Sequence, residues 1–151
     1  MAQVLVTTIP FGTHNRMPLN ILDSLGVAYE VNPLGRRLTV TELTELVGDA
    51  EVIIAGTEPI TAEVMEAGRN LKLISRVGVG LDNVDLIAAR ERGLRVTYTP
   101  EAPAAAVAEL TIGLFLSLLR GIHTANLSLH EGRWDRIMGR RISEVTIGII
   151  G

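Results

Sequence analysis

The chain contains no cysteine. That absence removes disulfides, thiolate zinc sites and thiol nucleophiles together. Aromatic residues are nearly as scarce, with two Phe, two Tyr and one Trp in 151 residues. There is no basic excess either: 14 Lys+Arg stand against 17 Asp+Glu, a net charge of −3. A nucleic-acid surface combines a basic stripe with stacking aromatics, so no nucleic-acid partner is expected. The start, MAQVLVTT, lacks the basic n-region of a signal peptide, and a cytoplasmic location is expected. Of the three histidines, His123 and His130 stand seven apart without a carboxylate at short spacing, and His14 follows the first strand alone. No metal site is expected from them.

A long uncharged run is also missing. Residues 102–119 carry one charge, Glu109, and the uncharged core 110–119 is ten residues long. A spanning helix wants ~20 apolar residues, and a central carboxylate costs ~2.5–3.5 kcal/mol on insertion scales. A helix buried in protein, not in a membrane, is expected, with Glu109 a hydrogen-bonded residue at a domain junction. Apolar residues nonetheless make up 47% of the chain. Mean hydropathy is +0.32, high for 16.3 kDa, which implies apolar surface meant for a partner.

What is present alternates short β-rich runs with helical spacing. Strands are expected at 3–8, 27–31, 51–55, 71–77 and 94–97. Between them, helices are expected at 17–25, at 39–47 with Thr39 and Glu42 as a capping box, from Thr61 to near Gly68, and from a cap at Asp82 or Asn83 to Gly93. Five strands alternating with four helices imply βαβ crossovers and a parallel sheet. A long helix over 104–120 follows, apolar on nearly every side and therefore buried all round or at an interface. Gly121 interrupts it, a polar helix over 122–130 follows, and 145–150 (VTIGII) reads as a final strand.

Ser75 to Asn83 (SRVGVGLDN) lies at the carboxyl end of a parallel strand and enters a helix. Ligands of open α/β sheets bind at that edge. Gly78 and Gly80 remove side chains, so backbone N–H groups can approach an anion. Two readings stay open from the pattern: a cradle for a carboxylate or phosphate, and a tight strand-to-helix turn with no ligand.

SRVGVGLDNVD at 75–85, then Ala88-Ala89-Arg90, Gly93, Thr99-Pro100, VAELTIG at 107–113, EGRW at 131–134 and TIGIIG at 146–151 resemble the D-isomer-specific 2-hydroxyacid dehydrogenases, and among them the D-3-phosphoglycerate dehydrogenases. The resemblance implies an α/β fold. A flavodoxin-like substrate domain with a five-stranded parallel sheet would occupy residues 1–99. The start of an NAD-binding domain would occupy 100–151: the long helix, a dimerisation arm through Trp134, and the first strand of an incomplete Rossmann domain. It implies that a small 2-hydroxy or 2-oxo acid is bound by Gly56, Thr57, Val77, Gly78, Val79 and Gly80. It also places Val79 near the nicotinamide and makes Gly151 the first glycine of the cofactor turn. NAD is the implied cofactor, with NADP open. A homodimer through 104–140 is the implied assembly.

The family's catalytic arginine, glutamate and histidine lie downstream of that turn, so no catalytic residue is assigned here. The chain alone is expected to be inactive, as the N-terminal part of a longer enzyme. Two positions depart from the pattern. Gly56-Thr57-Glu58 stands where phosphoglycerate dehydrogenases usually carry an arginine for the substrate phosphate, and Tyr98 replaces an asparagine. Both count against phosphoglycerate as the substrate. The competing reading is a non-catalytic flavodoxin-like binding or dimerisation module. A response-regulator receiver is disfavoured, because no acidic cluster follows the first strand and the only lysine is Lys72.

Overall fold

A computed structural model describes residues 3–150. The chain divides into two compact units, one running to Ala102 and the other beginning at Pro103.

The first unit is built on five short parallel strands: β1 (Val4–Val6), β2 (Tyr29–Val31), β3 (Val52–Ala55), β4 (Leu73–Arg76) and β5 (Arg95–Thr97). Their order is β2-β1-β3-β4-β5, the doubly wound order of flavodoxin-like sheets. Between them run α1 (Met17–Ser24), α2 (Val40–Val47), α3 (Ala62–Ala67) and α4 (Leu86–Glu91). The expected alternation of elements is therefore found, with strands shorter by up to three residues because sheet pairing stops before the apolar run does. Leu5, Leu43, Val47, Ile53, Ile60, Met65 and Ile74 form the core between sheet and helices. Ile53 and Ile74 are fully buried on adjacent central strands, as expected where helices cover both faces of a sheet.

Local chemistry sets the helix starts. The Thr39 hydroxyl accepts the Glu42 N–H at 3.3 Å, and the Glu42 carboxylate accepts the Thr39 N–H at 2.9 Å, closing the expected box. Thr61 caps α3 one way only, its hydroxyl accepting the Val64 N–H at 3.5 Å. The cap of α4 is Asp85, not Asp82 or Asn83: its Oδ1 accepts the Ala88 N–H at 2.9 Å. Asn83 is instead drawn into the neighbouring loop, where its Nδ2 donates to the Glu58 carbonyl at 2.7 Å.

Glu42 also receives the Arg36 guanidinium, with Nη1 donating to Oε2 at 3.0 Å and Nη2 to Oε1 at 2.5 Å. That ion pair, with the Thr39 amide, lowers its pKa from 4.5 to about 2. The folded-state value is the depressed one, so the stabilisation is complete above about pH 4.5 and disappears as pH falls towards 2. Glu42→Gln is expected to lower the urea midpoint at pH 7, and the gap to the wild type should shrink steadily below pH 4.5. A gap independent of pH would contradict the assignment.

The second unit contains α5 (Ala104–Arg120), α6 (Ile122–His130) and a single 3-10 turn, Ile142–Glu144. Gly121 joins the helices at φ +62, a left-handed conformation that favours glycine, and a Cβ there would lie 2.7 Å from the Ile137 side chain. Two expectations are corrected here. Glu109 is exposed rather than enclosed. No residue of α5 is buried, so of its two expected settings burial all round is not found, and an interface stays open. An apolar helix is buried only when something packs on it, and within this unit α6 and the segment returning to Leu119 cover little of its surface. Residues 145–150 form no strand either. Val145 is extended, but a strand needs a paired neighbour, and none lies beside it among the described residues. Gly151 lies outside the described residues. Among the described residues no single helix is long and apolar enough to cross a membrane; α5 and α6 reach that length only together, across a bend of 64°.

Candidate functional site

Every strand of a parallel sheet ends on the same edge, so the loops after β1, β2, β3 and β4 come together there. In the order 2-1-3-4-5 the connections leave in opposite directions after β1 and β3, which opens a crevice between them. A cavity of about 500 Å³ occupies that place. Thr7, Thr8 and the Ile9–Phe11 turn line it from β1, Gly35, Arg36 and Arg37 from β2, Gly56 to Glu58 from β3, and Val77 from β4. The size falls in the ordinary range for a small-molecule site.

The β3 loop is held closely. A Cβ on Gly56 would lie 3.0 Å from the Thr8 Cα and 2.9 Å from both Thr8 Oγ1 and Glu58 Oε2. Only glycine lets the two loops approach this far. Glu58 is 2% exposed and folds back, its Oε1 accepting from the Gly56 N–H at 2.8 Å and from the Thr7 hydroxyl. Asn83 ties the loop from the other side through the Gly56 and Glu58 carbonyls. Across the crevice, Asn32 shapes the β2 loop by donating to the Arg36 carbonyl at 2.8 Å and accepting the Leu34 N–H at 2.9 Å. Arg36 is engaged by Glu42, while Arg37 stands exposed at the rim.

The turn after β4 adjoins this cavity through Val77. Two of its amides are already occupied: Val77 N–H donates to the Ala55 carbonyl at 2.8 Å, and Gly78 N–H to the Thr99 hydroxyl at 2.8 Å. Val79 and Gly80 donate to no protein acceptor among the described residues. Gly78 adopts φ +143, a conformation side chains rarely take. Val79 is 48% exposed on the same edge. The cradle expected over four residues thus has two free donors. That is enough for one carboxylate and short of what a pyrophosphate needs. The described residues do not by themselves build a dinucleotide site. No group of three metal-ligating side chains occurs among them.

Of the residues predicted to bind substrate, Gly56, Thr57 and Val77 line the cavity, and Gly78, Val79 and Gly80 form the turn beside it. Thr7, Thr8, Asn32, Arg36, Glu58 and Asn83 were not predicted as site residues. The strand order would have pointed to Thr7 and Thr8, but order is a tertiary property. His14, His123 and His130 are all exposed and take no part.

An open parallel sheet in this order, with a crevice at its switch point, defines an α/β domain of the doubly wound class. The match is more specific than that. Residues 9–146 fit the family model of the D-isomer specific 2-hydroxyacid dehydrogenase, catalytic domain, and the chain belongs to this family. The hydroxypyruvate reductase of Thermotoga maritima is 39% identical over 125 residues, covering 81% of this chain and 41% of the relative. The D-3-phosphoglycerate dehydrogenase of Methanocaldococcus jannaschii is 44% identical over 118 residues, covering 76% of this chain and 22% of the relative. Among solved structures, the TT0316 protein of Thermus thermophilus superposes with a TM-score of 0.79 at 38% identity, over 89% of this chain and 42% of that one. The chain therefore spans less than half the length of these relatives.

Proposed function

We propose that this chain is the substrate-binding part of an NAD-dependent oxidoreductase acting on the CH–OH group of a D-2-hydroxy acid. The observation that carries this reading is the pair of free amides, Val79 and Gly80, beside a 500 Å³ crevice at the sheet's switch point. The amides take the substrate carboxylate, and the crevice takes the remainder of the acid through Gly56, Thr57 and Val77. NAD, when bound, would supply the hydride acceptor or donor, and the family resemblance puts Val79 among the residues expected near its nicotinamide. The 151 residues hold no catalytic arginine–glutamate–histidine set at the family's positions, so they are expected to bind acid and not to reduce it. Saturation-transfer NMR with several 2-oxo acids should detect weak binding, while NADH absorbance stays constant. NADH oxidation by this chain alone would overturn the division of labour. Absence of any acid binding would overturn the site.

We further propose a domain division near residue 100 and a homodimer formed through residues 104–140. Leu110, Leu114, Leu118 and Trp134 are all more than half exposed, and an aromatic with arginines beside it suits an interface anchor. Burying such leucines stabilises by about 1.5–3 kcal/mol each. Leu118→Glu, at a position 80% exposed, should shift sedimentation from dimer towards monomer at micromolar concentration without altering the sheet. A wild-type chain that sediments as a monomer would contradict the assembly.

A further inference from the structure

Glu58 is a buried carboxylate that the carboxylate cradle does not use. Both of its protein hydrogen bonds fall on one oxygen: Oε1 accepts from Gly56 N–H at 2.8 Å and from the Thr7 hydroxyl. Oε2 accepts none, although the residue is 2% exposed and lines the cavity. That oxygen is not sealed in the protein; it keeps open surface at the cavity wall and stands available to a donor there. The Thr8 hydroxyl, also on the cavity wall, lies against the same face of Gly56. Two arginines also line the cavity. Arg36 is paired with Glu42, and Arg37 is exposed at the outer rim.

We propose that Glu58 is a specificity-determining residue: its Oε2 accepts a hydrogen bond from a hydroxyl on the carbon next to the reacting centre, selecting hydroxylated 2-hydroxy acids and excluding acids with an anionic tail. This rests on the reading of the crevice as the substrate site. The chemistry is one of sign. An ionised carboxylate is acceptor-only, so it rewards a donor and repels a phosphate or second carboxylate. A methyl tail meets neither effect but leaves Oε2 without a partner.

The test is to titrate the 151-residue chain with D-glycerate, D-lactate and D-3-phosphoglycerate, following binding by NMR. D-Glycerate should bind about ten- to a hundredfold more tightly than D-lactate, the range for a hydrogen bond to a charged group. D-3-Phosphoglycerate should bind no better than D-lactate. Glu58→Gln keeps an oxygen for Gly56 and Thr7 but turns the free atom into a donor, so the preference for glycerate over phosphoglycerate should collapse. The wild-type ranking needs no variant and stands even if Glu58→Gln fails to fold. Equal affinities, or phosphoglycerate binding tightest, would overturn the role of Glu58 and leave the carboxylate site standing. No binding of any of the three acids would overturn both.

Discussion

Gly78→Ala is expected to weaken acid binding by at least about tenfold while leaving the sheet folded. Gly78 sits at φ +143, where a residue with a Cβ costs about 1–3 kcal/mol of backbone strain. Its new methyl would also fall onto Arg76 Nη1, so that guanidinium must leave the Val77 carbonyl, to which it donates at 2.7 Å. The guanidinium can move. The backbone has less freedom, because Gly78 is fastened to Thr99 through both its N–H and its carbonyl. Relief of the strain therefore displaces the amides of Val79 and Gly80, and about 1.4 kcal/mol of lost alignment is a factor of ten. The check is the dissociation constant for D-lactate in wild type and variant, with far-ultraviolet circular dichroism as the control for folding. Unchanged affinity would separate the turn from the carboxylate.

Ile53→Ala is expected to have the largest effect on stability, about 2–5 kcal/mol. Ile53 is fully buried at the middle of β3, the strand between β1 and β4. Removing its side chain leaves a cavity at the centre of the core, against a typical total stability of about 5–15 kcal/mol. The site should suffer with it, since Gly56 to Glu58 leave directly from that strand. Urea unfolding gives the difference. Ile87→Ala, at an α4 position 74% exposed, is the comparison and should stay within about 0.5 kcal/mol. Equal losses at the two positions would contradict the core described.

Much of this architecture is legible in the sequence because local signals and packing agree. Thr39 and Glu42 announce α2 by chemistry that completes itself within four residues. Ile53 and Ile74 lie in apolar runs too short for helices. The same reasoning fails where a partner must complete the element. Residues 145–150 have strand composition but lie beside no strand, and α5 is apolar all round yet unburied. Within the site, Gly78 and Gly80 stand out because glycines on a strand-to-helix turn carry a steric meaning of their own. Glu58 reads from sequence only as a charge in the wrong place for a phosphate. Its inward turn depends on Thr7, 51 residues away, and on the Gly56 amide. Asn83 resembles a helix cap until the Glu58 carbonyl comes within reach. The matches to longer relatives bear out the family that the motifs already resembled, and the cavity adds where its substrate would lie.

If the turn after β4 holds a substrate carboxylate at the mouth of the switch-point crevice, its free amides should respond first to an added acid. The most direct measurement is a 1H–15N shift map of the chain titrated with D-glycerate. The largest changes are expected at the Val79 and Gly80 amides, with smaller ones at Gly56 and Thr57. Changes confined to α5 and α6, or none at millimolar acid, would contradict that placement.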